Sequence, residues 1–204
     1  MSPNGNAQDA DCGIALAFGR NSIPDKNLAL VRDIRENERS DFATIKKLAT
    51  GTFKAGAPNK AIGDKARLCI LLHDLPMIVQ WEVAVVLFQK YPDWVEHWIV
   101  TKKLFCLWPQ PEQNSYRAHE VLEDALRIII QHRWHSSLLL AHDLHMPRVY
   151  MLARKFGLNP IVGFTRITDS FDPNSVKPMT SHDWRWILTY EPWVRIHHLL
   201  HGWV

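Results

Sequence analysis

Apolar residues along this chain fall into two patterns. Short unbroken runs, CGIALAFG (12–19), ARLCILL (66–72), SSLLLA (136–141) and NPIVGFT (159–165), have the profile of strands buried on both faces. Other segments repeat their apolar positions every three or four residues. In IVQWEVAVVLFQKY (78–91), Ile78, Trp81, Val85 and Phe88 share one helical face, and NSIPDKNLALVRDIRENE (21–38) repeats Leu28, Val31 and Ile34 behind Pro24. NSYRAHEVLEDALRIIIQHRW (114–134) is the clearest helix, opening on an Asn or Ser cap. MPRVYMLARKFG (146–157) is another, with Pro147 at its start and Gly157 as its C-cap. A third strand is expected in EHWIVTKKLF (96–105), before the proline-rich WPQPEQ loop. A short helix from Ser40 leads into a loop marked by Gly51, Gly56, Pro58 and Gly63.

Strands alternating with amphipathic helices predict an α/β fold around a mainly parallel sheet of about five strands. Residues 1–11 read as a disordered leader, 12–165 as the α/β domain, and 166–204 as a Trp- and His-rich extension packed on the same domain, including a helical EPWVRIHHLLHGW (191–203). In such sheets ligands sit beyond the carboxyl ends of the strands, where the strand order switches. Two of the expected strands run into the same trio, His73-Asp74-Leu75 and His142-Asp143-Leu144, which places both His-Asp pairs at that edge.

Composition adds exclusions rather than direction. A chain of 204 residues with 47% hydrophobic and 22% charged residues suits one soluble domain, and the net charge of +3 permits anionic small molecules or nucleic acid without selecting either. Three cysteines with no CxxC spacing suggest reduced thiols and a cytoplasmic setting. The polar N-terminus carries no secretion signal, and the apolar runs are broken by charge and imidazole, so neither export nor a membrane is expected.

The chemistry-bearing candidates cluster at the expected strand ends. His142 and His145 are candidate general acid/bases near neutral pH, with Asp74 and Asp143 as orienting carboxylates and His73 as a further imidazole. The alternative is that both aspartates cap the following helices. Gly19, Arg20, Asn21 and Ser22 after the first strand, Glu82 after the second, and Ser115, Tyr116 and Glu120 at the start of the long helix complete a candidate substrate pocket. Arg148 lies in the first turn of its helix, where the dipole disfavours a cation unless it meets an anion from a ligand or from Asp143 or Glu82. The histidine spacing lacks HExxH, and His197 with His201 has no third ligand, so no metal is expected. The residues themselves name no cofactor.

The segment SSLLLAHDLHMPRVYMLARKFGLNPIV resembles the YdcF-like family, which includes the envelope proteins SanA and ElyC. His145, Met146, Pro147 and Arg148 match that family's His-x-Pro-Arg helix start, and a looser likeness runs from about residue 13 to 165, with Glu82 and Ser115 at matching positions. The resemblance implies a Rossmann-like three-layer sandwich and a nucleotide-like or phosphate-bearing ligand. The chain departs from the family where His73-Asp74-Leu75 replaces a Ser-Gly-Gly turn. A weaker similarity, Tyr116-x-x-x-Glu120 followed by SSLLLAH, is to the cyclodipeptide synthases and implies an aminoacyl-tRNA partner, although their nucleophile turn is here Ala15-Leu16-Ala17. The expected function is therefore a small-molecule metabolic enzyme with His/Asp acid–base chemistry on an anionic or nucleotide-like substrate. The alternatives are a tRNA-dependent transferase or a non-catalytic nucleotide-binding protein.

Overall fold

The computed structural model describes residues 6–18, 41–51, 55–109, 117–163, 167, 171, 180 and 186–200. The strands are β1 (Cys12–Ala15), β2 (Met77–Gln80), β3 (Leu104–Leu107), β4 (Ser137–Leu140) and β5 (Pro160–Val162). They form one all-parallel sheet in the order β3-β2-β1-β4-β5, with Ile14 in register with Ile78 on one side and Leu139 on the other. Every residue of β1, β2 and β4 is buried, which explains their unbroken apolar sequences. The helices are α1 (Asp41–Thr50), α2 (Ala57–His73), α3 (Trp81–Lys90), α4 (Pro92–Val100), α5 (Ala118–His132), α6 (Met146–Lys155) and α7 (Glu191–Leu200). A π-turn, Trp186–Tyr190, runs directly into α7. Parallel crossovers are right-handed, so α1, α2 and α3 share one face of the sheet and α5 and α6 the other, giving a three-layer Rossmann-like architecture. No helix among the described residues is long and apolar enough to cross a membrane.

The expected second strand is in the wrong place. ARLCILL lies inside α2, where Ala66, Cys69 and Ile70 are buried while Leu68 and Leu72 face outward, a helical period hidden by apolar residues on both faces. The glycine and proline that suggested a loop belong to the same helix. Pro58 sits in its first turn, where no N–H is needed, and Gly63 lets α2 approach Val86 of α3 closely. The true second strand is Met77–Gln80, at the start of the segment read as helical, and it passes into α3 without a loop. The first half of the expected third strand, 96–100, is α4; the strand begins only at Leu104, after a left-handed residue, Lys102 (φ 56°).

Within the leader expected to be disordered over 1–11, the described residues 6–11 are held in place. Ala7–Asp9 form a 3-10 turn, and the Asp11 carboxylate accepts hydrogen bonds from the His135 and Ser136 amides at 2.7 and 3.0 Å, clamping the start of β1 to that of β4. The helix expected over 21–38 lies outside the described residues. The α6 helix, the fourth and fifth strands and the Gly157 cap (φ 79°) stand where the sequence puts them, whereas α5 opens at Ala118 on Arg117 as its N-cap rather than on Asn114 or Ser115.

Candidate functional site

The strand order reverses between β1 and β4, the switch point beyond whose carboxyl ends parallel sheets carry their ligand crevice. One wall is Leu16–Phe18. The Ala17 N–H donates to Gln80 Oε1 at the end of β2 (2.9 Å), and the Phe18 N–H donates to Asn59 Oδ1 in the first turn of α2 (2.8 Å). Those two bonds fix the direction in which Phe18 leaves the sheet. The other wall begins at Ala141. The chain tightens into a turn in which the His145 and Met146 amides both donate to the His142 carbonyl, at 2.8 and 2.9 Å, and α6 starts from that turn.

The walls meet ring to ring. Phe18 stacks on the His142 imidazole with centroids 4.1 Å apart and planes 12° apart, and Phe171 meets both rings edge-on. His142 is 1% exposed. Its Nδ1 accepts the Leu144 N–H at 3.3 Å, which assigns the ring proton to Nε2, and the buried Nε2 has no hydrogen-bond partner. Burial pushes the His142 pKa below its ordinary 6.5 against a smaller opposing pull from Asp143, so the ring is neutral at pH 7. A neutral imidazole thus presents an unsatisfied N–H donor inside the crevice.

Arg148 lies beside it, 5% exposed, in the first turn of α6. Its Nη2 donates to His145 Nδ1 at 2.8 Å. The negative charge comes from the C-terminal segment: Glu191 Oε2 stands 3.7 Å from Arg148 Nη1, and the guanidinium lies 5.3 Å from the ring centroids of both Trp186 and Tyr190. The Trp186 indole N–H donates to the Leu144 carbonyl at 3.3 Å, tying that segment over the histidine turn. The ion pair is incomplete. Arg148 Nε and Nη1 and Glu191 Oε2 are all buried without a hydrogen bond, an arrangement in which desolvation is poorly repaid.

Of the residues singled out from the sequence, His142, Asp143, His145 and Arg148 come together here. Asp143 does not orient an imidazole; its Oδ1 accepts the Ile167 N–H at 2.9 Å and its own N–H donates to the Ile167 carbonyl. His73 and Asp74 belong to the opposite edge. His73 ends α2 and Asp74 follows in the left-handed conformation (φ 50°), both exposed and both preceding β2 rather than following a strand. Asp74 pairs with Lys103 at 2.6 Å, and His73 lines a separate groove of about 470 Å³ along α2. The two His-Asp pairs therefore form no shared site. Glu82 is buried in the first turn of α3, at the crevice edge of the sheet, and Glu120 accepts the Arg117 N–H at 2.6 Å as the cap of α5. Gly19, Arg20, Asn21, Ser22, Ser115 and Tyr116 lie outside the described residues.

Phe18, Trp186, Tyr190 and Glu191 went unrecognised in the sequence. The available signal was Glu191-Pro192 opening a helix, an acid where the dipole favours one, but nothing local says that this carboxylate reaches an arginine 43 positions earlier. Among the described residues no three His, Cys, Asp or Glu side chains are grouped to hold a metal ion. The cysteines are free, and burial raises the thiol pKa of Cys12 to about 12 and of Cys69 to about 11, which leaves both inert as nucleophiles at neutral pH. No protein-family model, curated protein or solved structure matches the chain.

Proposed function

We propose that this chain is a small-molecule enzyme of the cytoplasm that takes a phosphate- or carboxylate-bearing substrate, nucleotide-like in class, at the crevice between β1 and β4. The observation that carries this reading is the pairing of an unsatisfied buried donor, His142 Nε2–H, with an incompletely matched buried cation, Arg148, at the switch point of a parallel sheet. A substrate anion would complete both. Its oxygens would take the free guanidinium donors, and the field at the start of α6 adds to that attraction.

His142, neutral and holding its proton on Nε2, is the group placed to donate to a leaving oxygen or to accept a proton back. His145 positions the guanidinium through its Nδ1. The match of His145-Met146-Pro147-Arg148 to the YdcF-like motif supports the same class of ligand. Because His142 and Arg148 are both buried beneath Phe18, Trp186 and Tyr190, a substrate reaches them only when the 186–200 segment moves.

The test is a thermal-shift panel of inorganic phosphate, AMP and citrate on the native chain and on Arg148→Met and His142→Ala. At least one probe should raise the melting temperature of the native chain, and Arg148→Met should abolish that rise. Equal shifts in native and Arg148→Met protein would remove the anion from this crevice.

A further inference from the structure

The helix that closes the crevice is turned with an apolar face outward. Trp186, Tyr190, Val194 and Glu191 face the body of the protein. On the other side Leu188, Trp193, Ile196, Leu199 and Leu200 are 70, 71, 49, 68 and 77% exposed. Trp193, Ile196 and Leu200 stand three and four residues apart, the spacing of a helix-pairing seam, with Leu188 and Leu199 in the adjoining row. An ordinary surface helix hides such a stripe; this one displays it.

We propose that this face docks on the same face of a second copy of the chain, in an antiparallel two-fold helix pair. Area is the first support. The five side chains offer on the order of 700 Å² per copy, beyond the few hundred Å² of a common surface patch and close to the roughly 800 Å² per partner of a stable interface. Shape is the second. A two-fold axis near Ile196 sets Trp193 of each copy against Leu199 and Leu200 of the other, a bulky ring against aliphatic side chains, and closes the contact with no open end.

Charge is the third support. The single arginine of α7, Arg195, is tied to Glu191 at 3.1 Å, and α7 has no lysine. The face thus has neither a net charge to repel a copy of itself nor the cationic fringe with which interfacial helices grip anionic lipid.

Sedimentation velocity of the full chain from about 1 to 100 µM tests this. The native protein should sediment at twice the chain mass of 23.6 kDa. Ile196→Glu/Leu200→Glu should sediment as a monomer, with a dissociation constant raised at least ~100-fold, as expected when central apolar anchors are lost. Its far-UV circular dichroism should match the native spectrum. If the double variant loses that spectrum, the milder Leu199→Ser/Leu200→Ser should weaken the dimer with the fold intact. A native monomer at 100 µM overturns the proposal. So does a dimer that survives both variants, or a native monomer that co-sediments with vesicles containing phosphatidylserine, which would assign the face to lipid.

Discussion

His142 refuses a proton that the unfolded chain accepts. Its folded pKa lies below 6.5 because burial disfavours the imidazolium, so from about pH 6.5 downward the unfolded state binds more protons than the folded one. The stabilisation is complete above that pH and is lost as the pH falls toward the folded value, by at most about 1.4 kcal/mol per pH unit for one group. His119, also lowered chiefly by burial, adds a second loss of the same sign. His142→Phe, which keeps the stack on Phe18 without the titration, should show a smaller drop in melting temperature between pH 7 and pH 5. An unchanged drop would place the sensitivity elsewhere.

Arg148 and Glu191 make a second residue-scale prediction. Removing the guanidinium leaves a buried carboxylate whose remaining partner, Arg195, is largely exposed. Arg148→Met should therefore cost about 3 kcal/mol in a urea melt, and Arg148→Met/Glu191→Leu should recover most of it. A neutral single mutant would show that Glu191 does not depend on Arg148.

At the scale of elements, α2 is where the sequence misleads, and it makes the most discriminating controls. Asp74 holds a left-handed residue after the helix and an exposed ion pair with Lys103. Asp74→Gly should be neutral or stabilising by up to ~1 kcal/mol, because glycine adopts that conformation freely and exposed pairs contribute little. Anion binding should be untouched by Asp74→Gly or His73→Ala, since both residues sit at the opposite edge of the sheet. Gly63→Ala should do the reverse. Its Cβ would stand 2.9 Å from Val86 Cγ1, so overpacking between α2 and α3 should cost about 1–3 kcal/mol, partly relieved by Val86→Ala. The unbroken apolar runs revealed β1, β4 and β5 and with them the parallel sheet; the count of five holds although ARLCILL is helix and β2 lies at the start of a segment read as helical. The pattern could not separate ARLCILL from a strand, since α2 carries apolar residues on both its buried and its exposed side. One consequence was large: the repeated His-Asp-Leu looked like two equivalent strand ends, and only the second of them is one. The strand-end turn at His142–Arg148 was legible because Pro147 marks a helix start directly after an apolar strand.

Across the whole molecule, one strand reversal and one C-terminal helix create the candidate site together. The sheet supplies the crevice, Gln80 and Asn59 hold its first wall, and the 186–200 segment brings the carboxylate that Arg148 lacks. Under the function proposed above, Glu191 stands where a substrate anion would, and the two would compete for one guanidinium. Isothermal titration calorimetry of AMP against the native chain and Glu191→Gln measures that competition most directly. Glu191→Gln should bind AMP at least ~10-fold more tightly than the native chain, the equivalent of about 1.4 kcal/mol, because Arg148 no longer has to give up an internal partner. Equal affinity in the two proteins, or binding weakened by Glu191→Gln, would contradict a ligand anion held by Arg148.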